Sequence, residues 1–154
     1  MKLFEFTLLV NADPAEIFKV ISDPRSKLAW VPAIRRVELE TPGPPGVGTR
    51  YLASAGIGPF EFVFQEQITE WVENESVAYN GRSLWGEFKT VVEIDPGSGG
   101  TQVQYRMDYT FPGGWTGDAL GRIVRLFIRR PMEVRSAAGL KELVEKRLWS
   151  AQSP

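Results

Sequence analysis

Apolar and polar residues alternate without a break from Thr101 to Phe111. Val103, Tyr105, Met107, Tyr109 and Phe111 fall on one face, and Gln102, Gln104, Arg106, Asp108 and Thr110 on the other. That period of two belongs to a strand with one buried face. Residues 2–10 repeat it, with Phe4, Phe6, Leu8 and Val10 opposite Glu5 and Thr7. Further β-rich segments lie at 34–40, with Val37 and Leu39 inward, and at 49–55, 60–72, 77–81 and 88–94. Pro- and Gly-rich or polar stretches separate them: TPGPPGVG, GIGP, ENES, SLWG and DPGSGG. These supply turn chemistry and are too short for domain linkers.

The period becomes helical twice. After the first strand, Asp13 is placed as an N-cap, Pro14 as the first helical residue and Glu16 as the returning half of a capping box. Ile17, Phe18 and Ile21 form the buried stripe of this helix. Pro24 cannot continue it, so Asp23-Pro24 opens a second short helix, which Pro32 closes. From about Asp118 to Trp149 the apolar stripe runs Leu120, Ile123, Val124, Phe127, then Met132, Val134, Ala138, then Leu143, Val144, Leu148, and Pro131 predicts a kink. The order is one strand, two short helices, six strands and one long helix. An antiparallel sheet of this length must cover its apolar face, and only one long helix is available for that. The two short helices then plug the open end. One domain over 1–149, with 150–154 as a tail, accommodates all of this.

Composition narrows the chemistry. The 154 residues suit one core. The chain has no cysteine and no histidine, which removes disulfides, thiolate nucleophiles, Cys or His zinc sites and any histidine base. Acid–base work falls to Asp, Glu, Tyr, Lys or water. No EF-hand loop or dense carboxylate cluster points to a metal, and no cofactor motif is present: the Gly-rich stretches lack the Lys-Ser/Thr of a phosphate loop. A net charge of −1 offers no general attraction to nucleic acid. No apolar run reaches the roughly 20 residues of a bilayer span. The N-terminal stretch carries Glu5 within its apolar run and reads as a strand instead of a signal peptide, so a cytoplasmic location is expected.

The stretches VNADPAEIFKVISDP, LAWVPAIRRVE, GSGGTQVQYRMDYTFP and the ending LKELVEKRL, taken in order, resemble the START/Bet v 1-like (SRPBCC) superfamily, in its polyketide cyclase/dehydrase-like branch. The likeness covers nearly the whole chain. It implies an α+β helix-grip fold: a curved antiparallel sheet of about seven strands wrapped on a long C-terminal helix, with two short helices after the first strand. It also implies a cavity between sheet and helix for a small hydrophobic or aromatic molecule. The superfamily spans lipid and hormone binders, cyclases and chaperone regulators, so it leaves open binding, catalysis or a protein-interaction role. Some members use a cavity histidine, which this chain does not have.

Glu66 shares the face of Phe60, Phe62, Phe64 and Ile68 by period two. If that face is inward, its carboxylate is a candidate proton-transfer group or ligand anchor. The plainer alternatives are pairing with an arginine or a bulge that turns it outward. Tyr79, Tyr105 and Tyr109 are expected on the inner face, as pocket lining or as core, and Phe88 and Met107 share that space. Trp30, Trp115 and Phe127 are placed at the expected cavity mouth or on the helix facing it, with Trp85 similar, each also readable as a structural plug. Arg122, Arg125, Arg129 and Arg130 form a basic run on the long helix. It is open to transient contact with an anionic membrane or to pairing with acids on a solvated face, and the balanced net charge favours the latter. Oligomeric state is not legible.

Overall fold

The computed structural model describes residues 2–152, with backbone alone for 57 and 148–152. The chain runs β1 (Lys2–Val10), α1 (Pro14–Ile21), a 3-10 turn (Pro24–Ser26), α2 (Lys27–Trp30), β2 (Ile34–Leu39), β3 (Arg50–Ile57), β4 (Phe60–Val72), β5 (Ser76–Ser83), β6 (Gly86–Gly97), β7 (Gly100–Thr110) and α3 (Trp115–Gln152). The seven strands form one antiparallel sheet in the order β1-β7-β6-β5-β4-β3-β2. Five pairings between consecutive strands hold it, and the one non-sequential neighbour, β1 beside β7, brings the chain's two β ends together. This is the helix-grip architecture expected from the sequence. The helix reaches Gln152, into the stretch expected as a tail, and residues 153–154 lie outside the described residues.

The short helices differ from expectation in their caps. Asp13 occupies the N-cap position of α1, yet its side chain makes no cap hydrogen bond. Glu16 is engaged by Lys19 at 3.0 Å, so no capping box forms. The cap that does form belongs to Asp23, whose carboxylate accepts from the Arg25 backbone N–H at 3.0 Å. Ile17, Phe18, Val20 and Ile21 are buried, and α1 and α2 close one end of the sheet's concave side against the later half of α3. Gly139 of α3 permits that contact: a Cβ there would sit 2.7 Å from the Trp30 carbonyl oxygen.

The face of α3 that meets the fold also departs from the predicted stripe. Leu120, Val124, Ile128, Met132 and Ser136 face the concave side, and Leu140 and Val144 are buried in the core. These residues are four apart. Such a row drifts by about 40° per step round an ideal helix, so the inward face near the start of α3 is not the inward face near its end. Ile123, Phe127 and Val134, predicted inward on a fixed stripe, are exposed, as is Leu126. The helix continues through Pro131 as one element. The Leu148 side chain lies outside the described residues. The filled core, including Val10, Ile17, Ile21, Ile68, Val92, Val103, Leu140 and Val144, sits at the plugged end. Towards the first half of α3 the concave side stays open.

Candidate functional site: an aromatic cavity with a buried ion pair

That open side is a cavity of about 400 Å³. Its depth is marked by exposure. Lys27, Glu66, Tyr105 and Ser136 at one end are buried, whereas Trp85 and Leu120 at the other are exposed and form the mouth. The period of two in β4 and β7 puts the aromatic wall in place. Phe62 and Phe64 come from β4, Phe88 from β6, and Tyr105, Met107 and Tyr109 from β7, with Phe4 and Phe6 added by β1. Tyr105 stacks on Phe6 with centroids 4.9 Å apart, and Phe88 stacks on Tyr109 at 5.7 Å. Phe64 meets Phe88 edge-on at 5.4 Å. The Phe88 ring lies over Gly81, where any Cβ would come within 2.0 Å of it. At the mouth the Tyr109 and Ser83 hydroxyls are 3.1 Å apart.

At the inner end the wall turns polar. Glu66 faces inward, as the alternation of β4 requires, and its partner is a lysine instead of the expected arginine. Lys27 Nζ donates to Glu66 Oε2 at 2.5 Å and to the Tyr51 hydroxyl at 2.7 Å. Tyr51, directly opposite Glu66 in the β3–β4 register, donates its hydroxyl to the same Oε2. The ammonium also lies 4.1 Å from the centroid of the Tyr79 ring, within cation–π range. Lys27 and Glu66 side chains are 7% and 3% exposed, so the pair is shielded from water on both sides. Burial is the largest single influence and opposes the charged ammonium, but the Glu66 carboxylate together with Tyr79 and Tyr105 outweighs it and holds Lys27 above the ordinary lysine value of 10.5. Burial raises Tyr79 and Tyr105, which keeps both hydroxyls neutral.

Seven of the sequence candidates therefore converge on one cavity: Phe62, Phe64, Glu66, Phe88, Tyr105, Met107 and Tyr109. Four do not line it. Trp30 is buried behind the wall, edge-on to Tyr105 at 6.0 Å, with its indole N–H on Ser26. Tyr79 is core: its hydroxyl donates to the Ile21 carbonyl and its ring backs the ammonium. Trp115 and Phe127 are 81% and 73% exposed, because the row that turns inward on α3 passes through Leu120, Val124 and Ile128. Trp85, by contrast, does stand at the rim. Two members of the buried Lys27–Tyr51–Glu66 cluster escaped the sequence reading. Tyr51 was within reach, since Tyr51, Ala53 and Ala55 alternate like the other strands. Lys27 was not, because a lysine in a short polar-looking helix carries no local sign of burial. The basic run is mostly unpaired: Arg129 bridges Glu133 at 2.8 Å, whereas Arg122, Arg125 and Arg130 have no ion pair among the described residues. Among the described residues no group of three or more acidic side chains could hold a metal, and no helix is long and apolar enough to cross a membrane.

Solved structures share this frame. The ZhuI aromatase/cyclase of a Streptomyces species superposes with a TM-score of 0.80 at 13% identity, covering 97% of each chain. The Thermus thermophilus protein TTHA0849 superposes with a TM-score of 0.74 at 17% identity, covering 97% of this chain and 99% of its own. The di-domain aromatase/cyclase StfQ, from the steffimycin biosynthetic pathway, matches at a TM-score of 0.72 and 15% identity over 95% of this chain, which corresponds to 51% of StfQ. At these identities the likeness establishes the fold, a Bet v 1-like helix grip. No curated protein matches the chain by sequence. The family model described as polyketide cyclase / dehydrase and lipid transport matches residues 1–145, nearly the whole chain, and to that family the protein belongs.

Proposed function

We propose that the protein binds one small hydrophobic or aromatic molecule in the cavity between the sheet and α3, for transport or sequestration. The observation that carries this reading is the cavity itself. About 400 Å³ of open space, walled by Phe4, Phe6, Phe62, Phe64 and Phe88 and by aliphatic residues of α3, lies within the size range of small-molecule sites. Packed interiors leave few voids larger than a water molecule, so a space of this size argues against a vestigial cavity in a mere interaction module. Family membership supports the same reading.

The outer face of α3 supports a transient contact with an anionic membrane surface during loading or release. Arg122, Arg125 and Arg130 stand there beside exposed Ile123, Leu126 and Phe127, an arrangement suited to the interface of an acidic bilayer. A cyclase or dehydratase role is the second reading. It draws on Glu66 and Tyr105 sharing the inner end of the cavity, where a carboxylate is placed to move a proton and a hydroxyl to polarise a carbonyl.

Native mass spectrometry of the purified chain tests the binding reading. The expected result is a population heavier by one small organic molecule, lost after extraction with a hydrophobic resin. The stripped protein should then bind anilinonaphthalene sulfonate saturably at one site. The absence of both a retained molecule and saturable probe binding would overturn it.

A further inference from the structure

We infer that the inner end of the cavity recognises a neutral hydrogen-bond donor on the ligand, a hydroxyl, phenol or N–H, through Glu66 Oε1. The inference rests on the cavity being a ligand site and adds which ligand chemistry it selects.

The argument is a count of donors and acceptors. Glu66 Oε2 accepts from both Lys27 and Tyr51. No protein group among the described residues donates to Oε1. The two groups that already donate to Glu66 are fully engaged. Lys27 gives two N–H groups to Glu66 and Tyr51, and the Tyr79 ring lies close by. Tyr51 gives its single O–H to Glu66. A buried carboxylate oxygen with lone pairs free, beside a mainly apolar wall, attracts a donor strongly; Glu133, the other carboxylate of the lining, already carries the Arg129 guanidinium and the Glu5 backbone N–H.

Charge narrows the class further. Lys27 and Glu66 together are neutral. A cationic ligand would bring an uncompensated charge into a low-dielectric space, and so would an anionic one. A neutral donor completes the Glu66 shell at no such cost. An acceptor-only group, such as an ether or a ketone, gains nothing from Glu66 and would have to turn to the Tyr105 or Ser136 hydroxyl instead. The surrounding aromatic wall asks for a planar, apolar body behind that donor. Holding α2 to the sheet explains the Lys27–Glu66 bridge, but it uses only one oxygen of a carboxylate that lines the cavity.

Three isosteric probes test this on the wild-type protein: naphthalene, methoxynaphthalene and naphthol, each measured by displacement of a bound fluorescent naphthylamine. Naphthol should bind at least about tenfold more tightly than naphthalene, the lower range for a hydrogen bond to a charged group. Methoxynaphthalene should bind like naphthalene. Equal affinities for all three would overturn the inference while leaving the cavity reading intact. Methoxynaphthalene matching naphthol would overturn it too, since an acceptor would then be what the site reads. Binding of none of the three would count against the cavity as an aromatic site altogether. In the triple variant Lys27→Met, Glu66→Leu, Tyr51→Phe, which leaves no buried charge unpaired, naphthalene should still bind and the preference for naphthol should vanish. A preference that survives there would place the donor contact elsewhere. Should that variant fail to fold, the three-probe comparison on the wild type stands alone.

Discussion

Removing Lys27 exposes what the inner end of the cavity contributes to the fold. Lys27→Met keeps the length and volume of the side chain and deletes only the ammonium. The Glu66 carboxylate, 3% exposed, is left with the Tyr51 hydroxyl as its sole partner. Breaking a buried pair from one side costs about 3–5 kcal/mol, because the remaining charge has neither water nor counter-ion. A domain of this size is typically stable by about 5–15 kcal/mol, so the loss is a large fraction of the total. Urea unfolding followed by tryptophan fluorescence reads it directly. With a slope of about 2 kcal/mol per molar urea, the midpoint should fall by roughly 1.5–2.5 M. The apolar triple replacement at Lys27, Glu66 and Tyr51 should recover most of that loss and end within about 1.5 kcal/mol of the wild type, since no charge then needs solvation. A single-variant cost below about 1 kcal/mol is the value of an exposed ion pair. It would mean that water reaches Glu66 freely, and the account of a shielded pair would fail.

Alkaline titration should destabilise the protein in a defined direction. Lys27 and Tyr79 both hold their protons more tightly folded than unfolded. Above about pH 10 the unfolded chain therefore binds fewer protons than the native one, and stability, intact at lower pH, declines as pH rises. A urea midpoint that stays flat from roughly pH 9 to roughly pH 11 would contradict this. Helix capping makes an asymmetric pair: Asp23→Ala should cost about 1 kcal/mol because its carboxylate caps Arg25, whereas Asp13→Ala should leave the melting temperature nearly unchanged. On the outer face of α3, sedimentation with phosphatidylglycerol-containing vesicles should be detectable at low salt and suppressed at high salt, and Arg125→Glu with Phe127→Ser should abolish it. Equal sedimentation with purely zwitterionic vesicles, or binding indifferent to those changes, would remove the membrane contact.

The strands of this protein were legible in the sequence because each buries one face, and the pleat turns that into a period of two which no distant contact can alter. From that period alone came the inward positions of Val103, Tyr105, Met107 and Tyr109 on β7 and of Phe111 just beyond it, and the shared face of Phe62, Phe64 and Glu66 on β4. The proline and glycine stretches set most of the element boundaries for the same local reason. The long helix shows where that reasoning ends. Apolar residues occur on several of its faces, and the row it turns inward, Leu120 through Ser136, is selected by how the helix crosses a curved sheet. Phe127 and Ile128 are adjacent and both strongly hydrophobic, and only packing sends the first outward and the second to the cavity. The ion pair lies further still from local signals. Lys27 and Glu66 are separated by 39 residues and belong to different elements. Neither the plug helix nor the β3–β4 register, which sets Tyr51 opposite Glu66, specifies their meeting by itself. Desolvation makes a buried lysine tolerable only where a carboxylate waits for it. The tertiary structure decided that coincidence, and with it the chemistry at the inner end of the cavity.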